Sequence, residues 1–123
     1  MTTTVLSIGQ FREVHDIDVT TKNGRRCTID IYKNDNGFDS EVTILDRVSS
    51  NLASRVYKTT PSSSSIADNF SAAVELIKSY ISQVDSNDEI QDIHNPCNTP
   101  FINATDQNKE LSKHGISISV RVN

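Results

Sequence analysis

The sequence predicts an α+β domain: an antiparallel four-stranded β-meander over residues 11–57, one long amphipathic helix over 65–84 packed on one of its faces, and a C-terminal strand over 116–122. Three observations carry this expectation. Two Asn-Gly pairs, Asn23-Gly24 and Asn36-Gly37, punctuate runs in which apolar and polar residues alternate, the period of a half-buried strand. The period becomes helical after Ser65, and alternation returns at Ile116, Ile118, Val120 and Val122.

The first strand carries Ile17 and Val19 and the second carries Cys27, Ile29 and Ile31. These meet on one face only if opposed positions sum to 46, which requires a three-residue loop, Lys22-Asn23-Gly24, with Gly24 in the left-handed conformation. In the second hairpin a two-residue I′ turn at Asn36-Gly37 makes opposed positions sum to 73, setting Ile31 against Val42 and Ile29 against Ile44. A third connection, Ser49-Ser50-Asn51, opposes Ile44 to Val56 and Val48 to Leu52. All three turns put the same apolar residues on one side, as a meander requires.

Ser65-Ile66-Ala67-Asp68 is an S-x-x-D helix start. On a helical wheel Ile66, Phe70, Ala73, Val74, Leu76, Ile77, Tyr80, Ile81 and Val84 share one arc, which places the helix on the Ile17/Ile29/Ile44/Val56 face. The stretch 85–113, with Pro96 and Pro100, shows no sustained period and reads as a polar irregular segment. The terminal strand 116–122 should add to a sheet edge.

At 123 residues the chain suits a single domain burying roughly 65% of its unfolded surface. The opening stretch MTTTVLSIGQFREV has no basic region followed by an apolar core, and no run of apolar residues is long enough to span a bilayer, so the expectation is a cytoplasmic protein that enters no membrane. Two cysteines, Cys27 and Cys97, fit a reducing compartment. The net charge of −4 is concentrated in the C-terminal half: residues 59–123 hold eight acidic and four basic side chains, against eight of each in residues 11–58. This balance disfavours direct nucleic-acid binding and favours a protein partner with a basic surface.

The derived register places Asp16, Asp18, Asp30, Tyr32, Glu41, Leu45 and Tyr57 on the sheet face away from the helix. Asp16 then lies directly across from Asp30, an arrangement that costs a few tenths to ~1 kcal/mol and that stability alone has no use for. These seven residues are the candidate partner-binding site, with Arg47 and Arg55 as neighbouring counter-charges. Carboxylates beside aromatic anchors suit docking to a basic patch.

Catalytic and cofactor signatures are lacking: no G-x-S-x-G, no phosphate-binding glycine loop and no H-E-x-x-H. The segment 34–41 superficially matches a calcium loop, but aligning Gly37 with the required glycine puts Tyr32 and Thr43 at ligand positions, so it reads as a hairpin turn. His94 and Cys97 form one H-x-x-C pair where a structural zinc needs two. No cofactor, no metal site and no catalytic residue is therefore expected. The reading is a non-catalytic protein-binding module. Its alternatives are a structural subunit that self-assembles into homo-oligomers through 116–122, and a metal-dependent enzyme using Asp16, Asp18 and Asp30. No stretch carries a family motif. In general type, a small acidic chain without a catalytic signature is similar to phage-encoded inhibitors of host defence and to bacterial immunity proteins, which act by covering a basic site on another protein. That similarity assigns no residue.

Overall fold

The computed structural model describes residues 12–49, 52–96 and 103–122. Strands β1 (Arg12–Thr21), β2 (Arg26–Asn34), β3 (Gly37–Ser49) and β4 (Leu52–Thr59) form the antiparallel meander. Helix α1 (Ile66–Val84) follows, then β5 (Ile90–His94) and helix α2 (Ala104–Lys113). The strand order is β4-β3-β2-β1-β5. Since β5 is antiparallel to β1, it runs parallel to β4 at the opposite edge, and α1 carries the chain across the sheet between them.

The fold class is as the sequence predicts, and the core shows why. Ile17, Val19, Cys27, Ile29, Ile31, Val42 and Ile44 point to one side and meet Phe70, Ala73, Val74, Ile77 and Ile81 of α1 in a single buried cluster. Ser65 caps the helix, its side chain accepting from the Asp68 N–H at 3.0 Å. On the wheel's apolar arc, Val84 is 48% exposed. Asn69 is wholly buried: its side-chain amide donates to the Phe38 carbonyl and the Thr60 hydroxyl, and its oxygen accepts the Ser40 hydroxyl. This polar knot fastens the start of α1 to β3 and to the linker after β4.

The register of the first hairpin is as expected, with Asp16↔Asp30, Ile17↔Ile29 and Val19↔Cys27 paired and Gly24 at φ +93°. The second hairpin corrects the expectation. Opposed positions sum to 71 rather than 73, so Ile29 faces Val42, Cys27 faces Ile44 and Asn34 faces Gly37. The turn is Asp35-Asn36, neither at positive φ, so it is not the I′ turn. The Asn34 side chain instead accepts the Asn36 N–H at 2.7 Å. Gly37 (φ +131°) opens β3 because the 60–64 linker passes over it: an added Cβ would stand 2.2 Å from the Ser63 carbonyl oxygen. A slip of two residues keeps every side chain on its own face, which is why the apolar pattern alone could not separate the two registers. In the third hairpin Ile44 faces Val56 as predicted, whereas Leu52 pairs with Ser49 rather than Val48 after a register shift. Ser50 and Asn51 of that turn lie outside the described residues.

The segment 85–113 is not irregular throughout: it contains β5 and α2. In β5 the buried residues are Ile90 and Ile93, spaced by three rather than two because the β1–β5 ladder shifts between Thr20 and Thr21. In α2 the buried residues are Leu111 with the polar Gln107 and Glu110, so its helical period is carried largely by residues that a hydrophobic pattern does not register. Asn103 caps it, accepting from the Asp106 N–H. The fifth strand is thus Ile90–His94. Residues 116–121 alternate in burial as expected, whereas Val122 is exposed; the segment joins β5 through one parallel bridge, Arg121 to His94, in which the Arg121 N–H donates to Ile93 and the Asn95 N–H to Arg121, each at 2.8 Å. Helix α1 packs on β2 and β3, and α2 packs on α1. Among the described residues both helices therefore lie on the apolar side of the sheet.

Candidate functional site

The sheet face away from the helices is ordered by the ladders into rows that run across the strands, one side chain from each strand per row. One row is Asp16, Asp30, Glu41 and Thr59 of β1 to β4. The next is Asp18, Thr28, Thr43 and Tyr57, extended by His94 of β5. The third is Thr20, Arg26, Leu45 and Arg55, extended by Asp92. Beyond the acidic row Tyr32 faces Asp39.

All seven sequence-predicted residues stand on this face. Asp16, Asp18, Glu41 and Tyr57 are exposed, and Asp30, Tyr32 and Leu45 are half-buried. The corrected register makes the acidic arrangement stronger than the sequence reading had it, because Glu41 faces Asp30 rather than Tyr32. Three carboxylates now stand in line, each ~5 Å from the next by strand geometry. A cleft of about 270 Å³ opens at the end of this row, lined by Tyr32, Asp39, Ser40, Glu41 and Thr59. His94 Nδ1 is 3.9 Å from Asp18, and Arg121 donates to Asp92 at 2.9 Å, which holds that carboxyl below its usual range. Asp39 and the Asp92/Arg121 pair were missed, the first because the register was two residues off and the second because β5 was not foreseen. Among the described residues no group of three His, Cys, Asp or Glu side chains has the geometry to hold a metal ion; Cys97 lies outside them.

Two further constellations were invisible to sequence. At the end of the sheet Arg25, 14% exposed at its side chain, reaches Asp88 at 2.7 Å, Asp85 at 3.0 Å and Asp46 at 3.1 Å. Asp88 also accepts from the Thr21 hydroxyl and the Asn23 N–H, and Asp46 accepts from the Tyr80 hydroxyl at 2.6 Å. Burial works against the ionised form of Asp88, but the Thr21, Asn23 and Arg25 donors outweigh it and hold the carboxyl below its usual range. Burial pushes the neighbouring Cys27 thiol up to about 12, so it is a poor nucleophile. This cluster joins the first hairpin loop to both ends of the turn after α1, with one guanidinium shared among three carboxylates.

The second constellation is Ser71, His114 and Glu75. Ser71 Oγ is 2.7 Å from His114 Nε2 and Glu75 Oε2 is 3.0 Å from Nδ1. A carboxylate only accepts, so Glu75 selects the imidazole with its proton on Nδ1 and leaves Nε2 to accept the serine hydroxyl. The order of groups is that of a nucleophile relay. Ser71, however, stands inside α1 with its own N–H committed to the helix ladder, so that N–H is not available to an oxyanion. The arrangement instead clips the C-terminus of α2 to α1, where Lys78 adds a bond to the His114 carbonyl at 2.7 Å.

No protein-family model, curated protein or solved structure matches the chain. Its class is set by its own architecture: among the described residues, an α+β domain whose five-stranded antiparallel sheet carries two helices on one face. No helix among the described residues is long and apolar enough to cross a membrane.

Proposed function

We propose that this protein is a non-catalytic binding module that covers a basic surface of another protein with the open face of its sheet, as a small acidic inhibitor does. The observation that carries this reading is the row Asp16, Asp30 and Glu41. Like charges directly opposed across strands repel, and Asp16 and Glu41 present theirs to solvent, so the row suits a basic surface that approaches from outside. Lysine and arginine side chains of a partner relieve that repulsion on docking, which makes binding more favourable by the amount folding gave up. Tyr57, 65% exposed, and Leu45 in the adjoining rows offer aromatic and apolar contacts. The cleft beside Tyr32 and Glu41 has room for a partner side chain. The same carboxylates repel nucleic acid.

The test is capture from source-cell lysate on the immobilised full chain, at low and at about 0.5 M salt, where the Debye length drops below about 5 Å. Wild type is compared with the triple variant Asp16→Asn, Asp30→Asn, Glu41→Gln. A partner retained by wild type and lost both with salt and with the three substitutions is the expected result. Capture that ignores both, or no capture, overturns the reading.

A further inference from the structure

We propose that the open face is also complementary to itself, and pairs with the same face of a second copy in a two-fold dimer whose axis runs across the strands. The proposal uses the face on which the docking reading rests, but needs its basic row as well as its acidic one. Rows on one face are ~6.8 Å apart along the strands, two residues of rise. The acidic row holds Asp16, Asp30 and Glu41, the middle row Thr28, Thr43 and Tyr57, and the third row Arg26 and Arg55. Glu41, Arg26 and Arg55 are exposed.

Charge decides the direction of the axis. An axis along the strands would stack each acidic row on its own copy. An axis across them, through the middle row, keeps every strand over its counterpart and exchanges the outer rows. Asp30 then faces Arg26 of the second copy along β2, and Glu41 stands between Arg26 and Arg55 of the second copy. Each contact occurs twice, as an isologous interface requires. The middle row brings Thr43 and Tyr57 onto their own counterparts, uncharged and able to approach. Asp18, at the β1 end of that row, also meets its own counterpart; it stands away from the β2–β3 centre, with His94 Nδ1 3.9 Å from it. Packed sheets keep their strands within about 30° of each other, so this correspondence holds best near the centre, at β2 and β3, where Asp30, Arg26 and Glu41 stand. Four strands by eight residues cover about 500 Å² per copy, about 1,000 Å² in the pair, the lower bound of a specific interface. The dimer is accordingly weak and salt-sensitive, and a tighter basic partner displaces it.

The experiment is sedimentation equilibrium of the full chain from about 10 µM to about 1 mM at low and at about 0.5 M salt, with two charge swaps. Wild type should move from the monomer to the dimer mass with concentration at low salt, with a dissociation constant at least about tenfold higher at high salt. Asp30→Arg alone and Arg26→Asp alone should each weaken the dimer at least about tenfold, and the two together should restore it. Glu41→Arg with Arg55→Glu repeats the logic at exposed positions, should a change at half-buried Asp30 unfold the chain. A wild type that stays monomeric at about 1 mM and low salt overturns the proposal. So does a dimer indifferent to the single reversals, or single reversals that neither combination rescues. The docking reading fails separately: Arg26→Asp removes the dimer but leaves the acidic row intact, so capture of a basic partner should persist. A monomer that captures such a partner overturns only the dimer, and a dimer that captures none overturns only the docking.

Discussion

Arg25 Nη1 lies 2.7 Å from Asp88 Oδ2, and through that contact the loop of the first hairpin is held to the turn that follows α1. Asp88 has no side-chain exposure, so removing its cation leaves a buried charge beside the carboxylates of Asp46 and Asp85. Arg25→Met should therefore cost about 3 kcal/mol. Arg25→Lys, which keeps the charge but cannot serve three carboxylates from one planar fork, should fall between. Urea midpoints of the three proteins check the order.

The same cluster sets the acid side of stability. Asn23 and Arg25 hold Asp85 below its usual range, and the Thr21, Asn23 and Arg25 donors do so for Asp88 against the pull of burial. A carboxyl lowered in the folded state favours folding fully above its unfolded value near 4, and that contribution is lost as pH falls through the folded value. Stability should be flat down to about pH 5 and then decline. In Asp88→Asn it should start lower and decline less steeply. Urea titrations from pH 7 to about pH 2 read both slopes.

Two glycines at positive φ should respond differently to alanine. At Gly24 an added Cβ meets nothing within 4 Å, so Gly24→Ala pays only the left-handed backbone penalty, about 1 kcal/mol. At Gly37 the Cβ collides with the Ser63 carbonyl, which is fixed by its bond from the Phe38 N–H at 2.8 Å. Gly37→Ala should cost about 3 kcal/mol and loosen the 60–64 linker. Thermal unfolding of the two variants separates the penalties. If they were equal, close approach of the linker would not be what requires Gly37.

How much of this was readable in the sequence follows from what each pattern encodes. Period-two alternation specifies which face a side chain takes. It therefore gave the helix-bearing face, where Ile17, Ile29 and Ile44 are buried, while the Asp16 to Asp30 pairing came from the loop that Gly24 closes. It does not distinguish registers two residues apart, so Glu41 was placed opposite Tyr32, and the three-carboxylate row emerged only with the structure. Helix α2 escaped because Gln107 and Glu110 take positions that an apolar pattern reserves for hydrophobes. The Arg25 cluster joins residues 60 and 63 positions apart, and no local spacing foreshadows it.

The acidic row makes the last prediction. Asp16 faces Asp30 and Asp30 faces Glu41, so neutralising an outer member removes one close repulsion and some of the more distant one. Asp16→Asn and Glu41→Gln, both exposed, should each raise stability by about 0.5 kcal/mol at low ionic strength, and the gain should shrink as salt screens the wild-type repulsion. Asp35→Asn, at the exposed hairpin turn and away from the row, is the control and should change little. Urea unfolding at low and at about 0.5 M salt measures the difference. A gain of the same size at both salts would point to altered strand propensity instead. A loss of stability would mean that the carboxylates hold contacts worth more than their mutual repulsion, and their repulsion would then give no reason for an outside partner.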